Sequence, residues 1–276
     1  MAEIRLFDAH NHLQNYPGET DPQKVLEKDC SAGVKLTLCN GTNPGDWKKV
    51  LDLAGRKGVF PFFGLHPWFI SKAESGWLEL LGDFLLRAPS GVGEIGLDRT
   101  VNTDLNEQEK IFRAQLQLAK RLKRPVSIHC VKAWDRLAGI LKEEAPPAFM
   151  LHAYGGAPEM VKKLAELGAY FSFNAGLMDS KREKLRQALM TVPLNRLLFE
   201  TESSDPDSEA RRSGSQGSEN PGVAFPAANS REGYPLVEVI RAAAAALAQS
   251  PEALGELTWR NAEIFMGELF PGYLKS

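Results

Sequence analysis

The stretch Phe7-Asp8-Ala9-His10-Asn11-His12 carries a His-x-His pair where a short strand-like segment, Ile4-Arg5-Leu6-Phe7, runs out. In an extended chain alternate side chains share a side, so both imidazoles face the same way. Their Cα atoms stand about 7 Å apart in such a chain, close enough for both rings to grip one cation. The other three histidines, His66, His129 and His152, each close an apolar run, and the acids Glu94 and Glu202 lie at or just after two others. Imidazole mixed with carboxylate suits Zn, Mn, Fe or Ni, and with water in the coordination sphere it also admits Mg.

The elements that must position these groups repeat as an apolar run followed by an amphipathic segment. Strands are expected at 4–7, 34–39, 59–66, 91–96, 125–130, 148–152, 169–173 and 196–200. Between them, Asp21 caps a helix that Pro22 opens, and Asn43 caps one opened by Pro44. Further helices cover 76–87, 106–123, a stretch from Trp134, one from Pro158 and a charged one from Ser180. A helix at 234–248 follows, and Pro251 and Thr258 are expected to open two closing helices. Eight alternations of strand and helix predict an α/β fold, a (β/α)8 TIM barrel forming a single domain over residues 1–276. No GxGxxG follows the first strand, which argues against a dinucleotide-binding sheet.

Barrel closure brings the carboxyl ends of all eight strands to one face, the face that carries the active site. His10, His12, His66, Glu94, His129, His152 and Glu202 are all expected there. That inventory exceeds the needs of one ion. Two divalent cations roughly 3.5–4 Å apart, bridged by a carboxylate and a water, would use it fully. A water so held is acidified toward a pKa of ~7, which is the chemistry of hydrolysis.

Six ordered segments sharpen this expectation: Phe7 to His12, Gly64-Leu65-His66-Pro67-Trp68, Gly93-Glu94-Ile95-Gly96-Leu97-Asp98, Pro125 to His129, His152-Ala153-Tyr154-Gly155-Gly156 and Leu198-Phe199-Glu200-Thr201-Glu202. Together with Gln108-x-x-x-Phe112-x-x-Gln115 and Thr258-x-x-Asn261, they resemble the TatD family of metal-dependent hydrolases, often deoxyribonucleases, in the amidohydrolase superfamily. The resemblance spans nearly the whole chain. It implies that His10 and His12 hold one metal, that Glu94 bridges two, and that His129 and His152 hold the second. It implies a substrate-contacting role for His66, donating to a phosphate or a developing oxyanion. The acid after strand eight, here Glu202, becomes a metal contact and the general base. The family commonly has Asp at that place, so Glu202 carries one extra methylene. The family's Ser-Arg after the strand-five histidine is replaced by Cys130-Val131-Lys132, leaving Lys132 as a point-charge substitute for a forked guanidinium.

The net charge of −2 supplies no global basic field, so a nucleic acid would have to be held locally. Cys30, Cys39 and Cys130 are odd in number and lack a CxxC, as expected of small buried side chains in a reducing, cytoplasmic setting. No apolar run approaches a membrane span, and the chain is read as a monomer. Residues 203–230 break the rhythm: thirteen of the 28 are Ser, Gly or Pro, which suggests a long loop over the barrel mouth. Asp8 is a candidate to orient an imidazole, Asp98 to support the site or cap the next segment, and Glu200 to serve as a buried partner. Trp68 and Trp134 could stack on a base, and Arg211-Arg212 could meet a phosphodiester.

Three functions follow from this pattern. The first is a two-metal deoxyribonuclease using Zn, Mg or Mn on single-stranded DNA ends. The second keeps the metals but takes a small ester, lactone, amide or phosphate ester. The third is an inactive metal-binding relative.

Overall fold

A computed structural model describes residues 5–16, 21–202 and 235–274. Residues 203–230, the expected loop over the mouth, lie outside the described residues, as does Arg211-Arg212. Eight strands follow one another in a single sheet in the order β1 to β8: Leu6–Asn11, Val34–Asn40, Val59–Phe63, Gly91–Asp98, Val126–Val131, Phe149–Leu151, Tyr170–Phe173 and Leu197–Phe199. Every neighbouring pair is parallel. The helices between and after them are α1 (Pro22–Ser31), α2 (Trp47–Leu53), α3 (Trp77–Arg87), α4 (Leu105–Leu122), α5 (Trp134–Glu144), α6 (Pro158–Glu166), α7 (Glu183–Thr191), α8 (Leu236–Leu247) and α9 (Pro251–Met266). The barrel expectation is therefore met.

The ring closes between β8 and β1 through bonds just past the end of β8. The Glu202 N–H donates to the His10 carbonyl at 3.0 Å. The Thr201 N–H and hydroxyl donate to the two oxygens of Asp8, at 2.8 and 2.7 Å. Asn11 adds a third donor at 3.0 Å. Asp8 thus fastens the seam of the barrel and orients no imidazole, because its oxygens are saturated by the first and last strands. Burial pushes its carboxyl up to about 7.

Side-chain alternation along β1 does the sorting. Phe7 and Ala9 pack in one apolar cluster with Trp259, Ala262 and Phe265 of α9. Asp8, His10 and His12 take the other side. The closing region is one continuous helix and not two: Thr258 sits inside α9, where its hydroxyl returns a bond to the Leu254 carbonyl at 3.1 Å. Asn43 does not cap α2 either. Its side chain folds onto Gly45 N–H, while Asp46 turns back to Thr42, so the helix begins at Trp47. Cys39 and Cys130 are buried as expected, whereas Cys30 is exposed on α1.

Candidate metal centre

Glu94 projects from the middle of β4, four residues before its end, and is 3 % exposed. Its two oxygens face all five histidines. Oε2 lies 3.3 Å from Nε2 of both His10 and His12. Oε1 lies 2.7 Å from His152 Nε2, 3.0 Å from His129 Nδ1 and 3.1 Å from His66 Nε2. The expected convergence of these groups is met, although by varied routes. His10 and His129 lie within strands, His12 and His152 one residue beyond, and His66 three residues past β3. There it caps a short 3-10 helix, Pro67–Lys72.

The outer nitrogen of each ring tells which way its lone pair points. His12 Nδ1 faces the Asn40 carbonyl at 2.8 Å, and a carbonyl only accepts, so Nδ1 carries the hydrogen and Nε2 is left bare. His129 Nε2 faces Asp98 Oδ2 at 3.2 Å, leaving Nδ1 bare toward Glu94. His152 Nδ1 faces Glu200 Oε1 at 3.7 Å, and neither atom has another partner. His10 Nδ1 meets the Ser127 hydroxyl at 3.1 Å, which can accept in the same sense. Four imidazoles therefore aim a lone pair inward, held by an acceptor behind each. This is how ligating histidines are usually oriented.

His66 is wired the other way. Its Nδ1 accepts the Trp68 backbone N–H at 3.2 Å, so the hydrogen of the neutral ring sits on Nε2, aimed into the site. It is built as a donor.

Electrostatics follow from the packing. Burial opposes ionisation of Glu94, yet His152 and His66 hold it well below the usual carboxylate range. Burial also opposes the charge on His152 and His129. Glu94 with Glu200 raises the first well above the ordinary imidazole value, and Asp98 with Glu94 raises the second. Burial lowers His66 to about 4, and burial with the nearby charge of His152 lowers His10 well below normal. A buried carboxylate ringed by lone pairs is a place for cations. Two triplets, His10–His12–Glu94 and His66–Glu94–His129, each have their atoms within 4.8 Å and share Glu94; the hydrogen on His66 Nε2 takes that ring out of the ligand set, and His152 Nε2, 2.7 Å from Glu94 Oε1, stands in its place. The donor set fits divalent metal.

Glu202 follows β8 with a left-handed backbone, φ 53°, and its carboxylate accepts a hydrogen bond from Asn174 Nδ2 at the end of β7. It belongs to neither triplet. Lys132, φ 54°, is exposed beyond β5, and Ala153, φ 43°, follows His152. Three non-glycine residues in this costly conformation, all just past strand ends of the same face, mark a site that the fold over-determines. Gly96 is required for a related reason. At φ 150° it passes so close to β5 that a Cβ would overlap the His129 carbonyl.

Asp98 both supports the site and turns the chain: it faces His129, accepts the Trp68 indole N–H at 2.7 Å and accepts Thr100 N–H at 2.8 Å. Trp68 lies against His66, with rings 4.7 Å apart, whereas Trp134 packs on Tyr154 in the core. Ser127, Asn40 and Asn174 serve the site without having been expected to. Each is an ordinary polar residue in a strand or at its end, and only the neighbour it meets gives it a role.

Comparison with known proteins agrees. The model of the family described as TatD related DNase matches residues 7–267. A 3'-5' ssDNA/RNA exonuclease TatD of Klebsiella pneumoniae is 32% identical over 210 residues, 72% of this chain and 78% of that protein. An uncharacterized metal-dependent hydrolase, YjjV, of Escherichia coli K12 is 30% identical over 207 residues, 73% of this chain and 80% of that one. The crystal structure of YjjV superposes with a TM-score of 0.81 at 25% identity, covering 95% of this chain and 98% of that one.

Proposed function

Because this chain belongs to the TatD-related DNases, a family of metal-dependent hydrolases, we propose that it cleaves phosphodiester bonds at single-stranded DNA ends. The observation that carries this reading is the opposed wiring of the imidazoles around Glu94: four present lone pairs, one presents a hydrogen. His10, His12 and Glu94 would hold one divalent cation; Glu94, His129 and His152 would hold a second. Glu202 would complete the first sphere, and Zn, Mg or Mn all suit such ligands. When bound, the pair supplies a water acidified toward a pKa of ~7 and charge to offset that of the phosphoryl group.

The protein's own part is positioning and proton handling. His66 Nε2–H donates to a phosphoryl oxygen as negative charge builds on it, an interaction worth most in a buried, water-poor site. Trp68 N–H fixes the tautomer that makes this possible. Glu202 collects the proton of the attacking water, with Asn174 holding its other oxygen in place. Asp98, Glu200, Asn40 and Ser127 keep the four ligating rings from rotating.

The test is direct. Metal-loaded protein is incubated with oligonucleotides labelled at either end, beside a His129→Ala variant. Shortening of the labelled strand by the native protein, abolished in the variant, is expected; no cleavage with Mg, Mn or Zn sinks the reading. A small ester or phosphate ester as substrate is the second reading, favoured by exposed Lys132 where a forked guanidinium would be expected. Turnover of a p-nitrophenyl ester without nuclease activity would select it.

A further inference from the structure

Arg182 has no role in the site described so far. It lies just before α7, at the barrel mouth, half-buried. Its guanidinium packs over Gly176 in the turn after β7, so closely that a Cβ at Gly176 would overlap Nη1. Gly176 N–H donates to Asn174 Oδ1 at 3.0 Å, and the same Asn174 donates to Glu202. The guanidinium therefore covers the turn whose first residue, Asn174, holds Glu202. The charges of Glu202 and Asp179 act on it through space, and burial lowers its pKa. Yet neither acid lies within ion-pair distance, and among the described residues the guanidinium has no hydrogen-bond partner.

A cation taken partly out of water without a partner is a standing cost. An anion with two acceptor oxygens would offset it, because a guanidinium offers paired parallel donors. The strand-five end offers no such fork, only the exposed ammonium of Lys132. Arg182 stands in the segment between β7 and α7, two strands round the ring from β5. We propose that Arg182 is the anion anchor of this centre, receiving non-bridging phosphoryl oxygens of the phosphodiester as it settles beside Glu202 and His66. This rests on the phosphodiesterase reading above and assigns the group that selects for a phosphoryl substrate.

The experiment compares the metal-loaded full chain with Arg182→Ala and Arg182→Lys. Steady-state hydrolysis of bis(p-nitrophenyl) phosphate and calorimetric titration with inorganic phosphate are measured, with metal content checked in each. For Arg182→Ala, KM rises roughly tenfold or more, kcat falls by less, and phosphate binding weakens by a similar factor. Arg182→Lys recovers part of the loss, since it restores charge but not the fork. KM and phosphate affinity within about twofold of native in both variants overturn the proposal. Should the alanine variant fail to fold, the lysine variant decides by the same two readouts. If the native protein hydrolyses no diester, the phosphodiesterase reading falls by itself. The calorimetric arm then decides Arg182 alone, weakened phosphate binding upholding the anion anchor and unchanged binding removing it.

Discussion

Glu94 sets the electrostatics of the centre, since its two oxygens face five imidazoles and all six groups are buried. The imidazoles are pulled in two directions: Glu94 with the outer carboxylates raises His129 and His152, while burial lowers His10 and His66. His66 gives a pH test with a definite sign. Its folded pKa of about 4 lies below the unfolded value of 6.5, so between those limits the unfolded chain binds the extra proton. Stability should therefore fall as pH drops from about 6.5 toward 4 in the metal-free native protein, and less so in His66→Gln. Urea unfolding of both across that range checks it; parallel profiles would contradict the assignment. At Glu202, replacement by Gln removes the proton acceptor while keeping size and the Asn174 contact. A fall in kcat of roughly a hundredfold or more, with metal content largely retained, is expected from steady-state assays paired with elemental analysis. A kcat close to native would take the base role away from Glu202.

At the scale of elements, α4 does more than cover the sheet. Gln108 and Gln115 lie seven residues, two turns, apart on one face, and both are buried. Gln115 Oε1 accepts Leu65 N–H at 2.7 Å, and its Nε2 donates to the Leu65 carbonyl at 3.1 Å. Gln108 does the same for Asp98, at 2.7 and 2.9 Å. Each amide substitutes for a missing strand neighbour where β3 and β4 separate, and so fixes the residues beside His66 and behind His129. Gln115→Ala leaves two backbone groups buried and unpaired, which costs about 1–3 kcal/mol each. Denaturant unfolding should show a loss of about 2–6 kcal/mol, and hydrolysis should slow about tenfold or more through a displaced His66. Loss of stability with native kinetics would mean that His66 is held by its own 3-10 helix alone.

At the scale of the whole molecule, the first and last strands meet at the site itself. The Asp8–Thr201 seam and the Glu202–His10 bond join the ends of a ring whose centre gathers candidate ligands from β1, β4, β5 and the end of β6. Metal bound there ties distant parts of the chain together and favours the folded state. At a hundredfold excess over Kd, each independent site adds about 2.7 kcal/mol. Chelation should therefore lower Tm, and re-addition should restore it in proportion to the ions regained. A Tm indifferent to chelator, in protein shown by elemental analysis to have lost its metal, would argue against a centre that spans the barrel. Among the described residues no helix is long and apolar enough to cross a membrane.

Local chemistry was enough to read the strands, because apolar runs bounded by Gly, Pro and charge have few alternatives. The ring of histidines and Glu94 was legible for the same reason: strand order puts such residues on one face whatever the details. The closing helix was misread at Thr258, since a hydroxyl can cap a helix or bond back within one, and only packing chooses. Asp8 had the same ambiguity, resolved by a strand almost two hundred residues away. The sense of each imidazole, lone pair inward or hydrogen inward, lay beyond any linear pattern. It is decided by which acceptor or donor stands behind the ring, and Asn40, Ser127, Asp98, Glu200 and the Trp68 N–H come to those places only when the barrel closes.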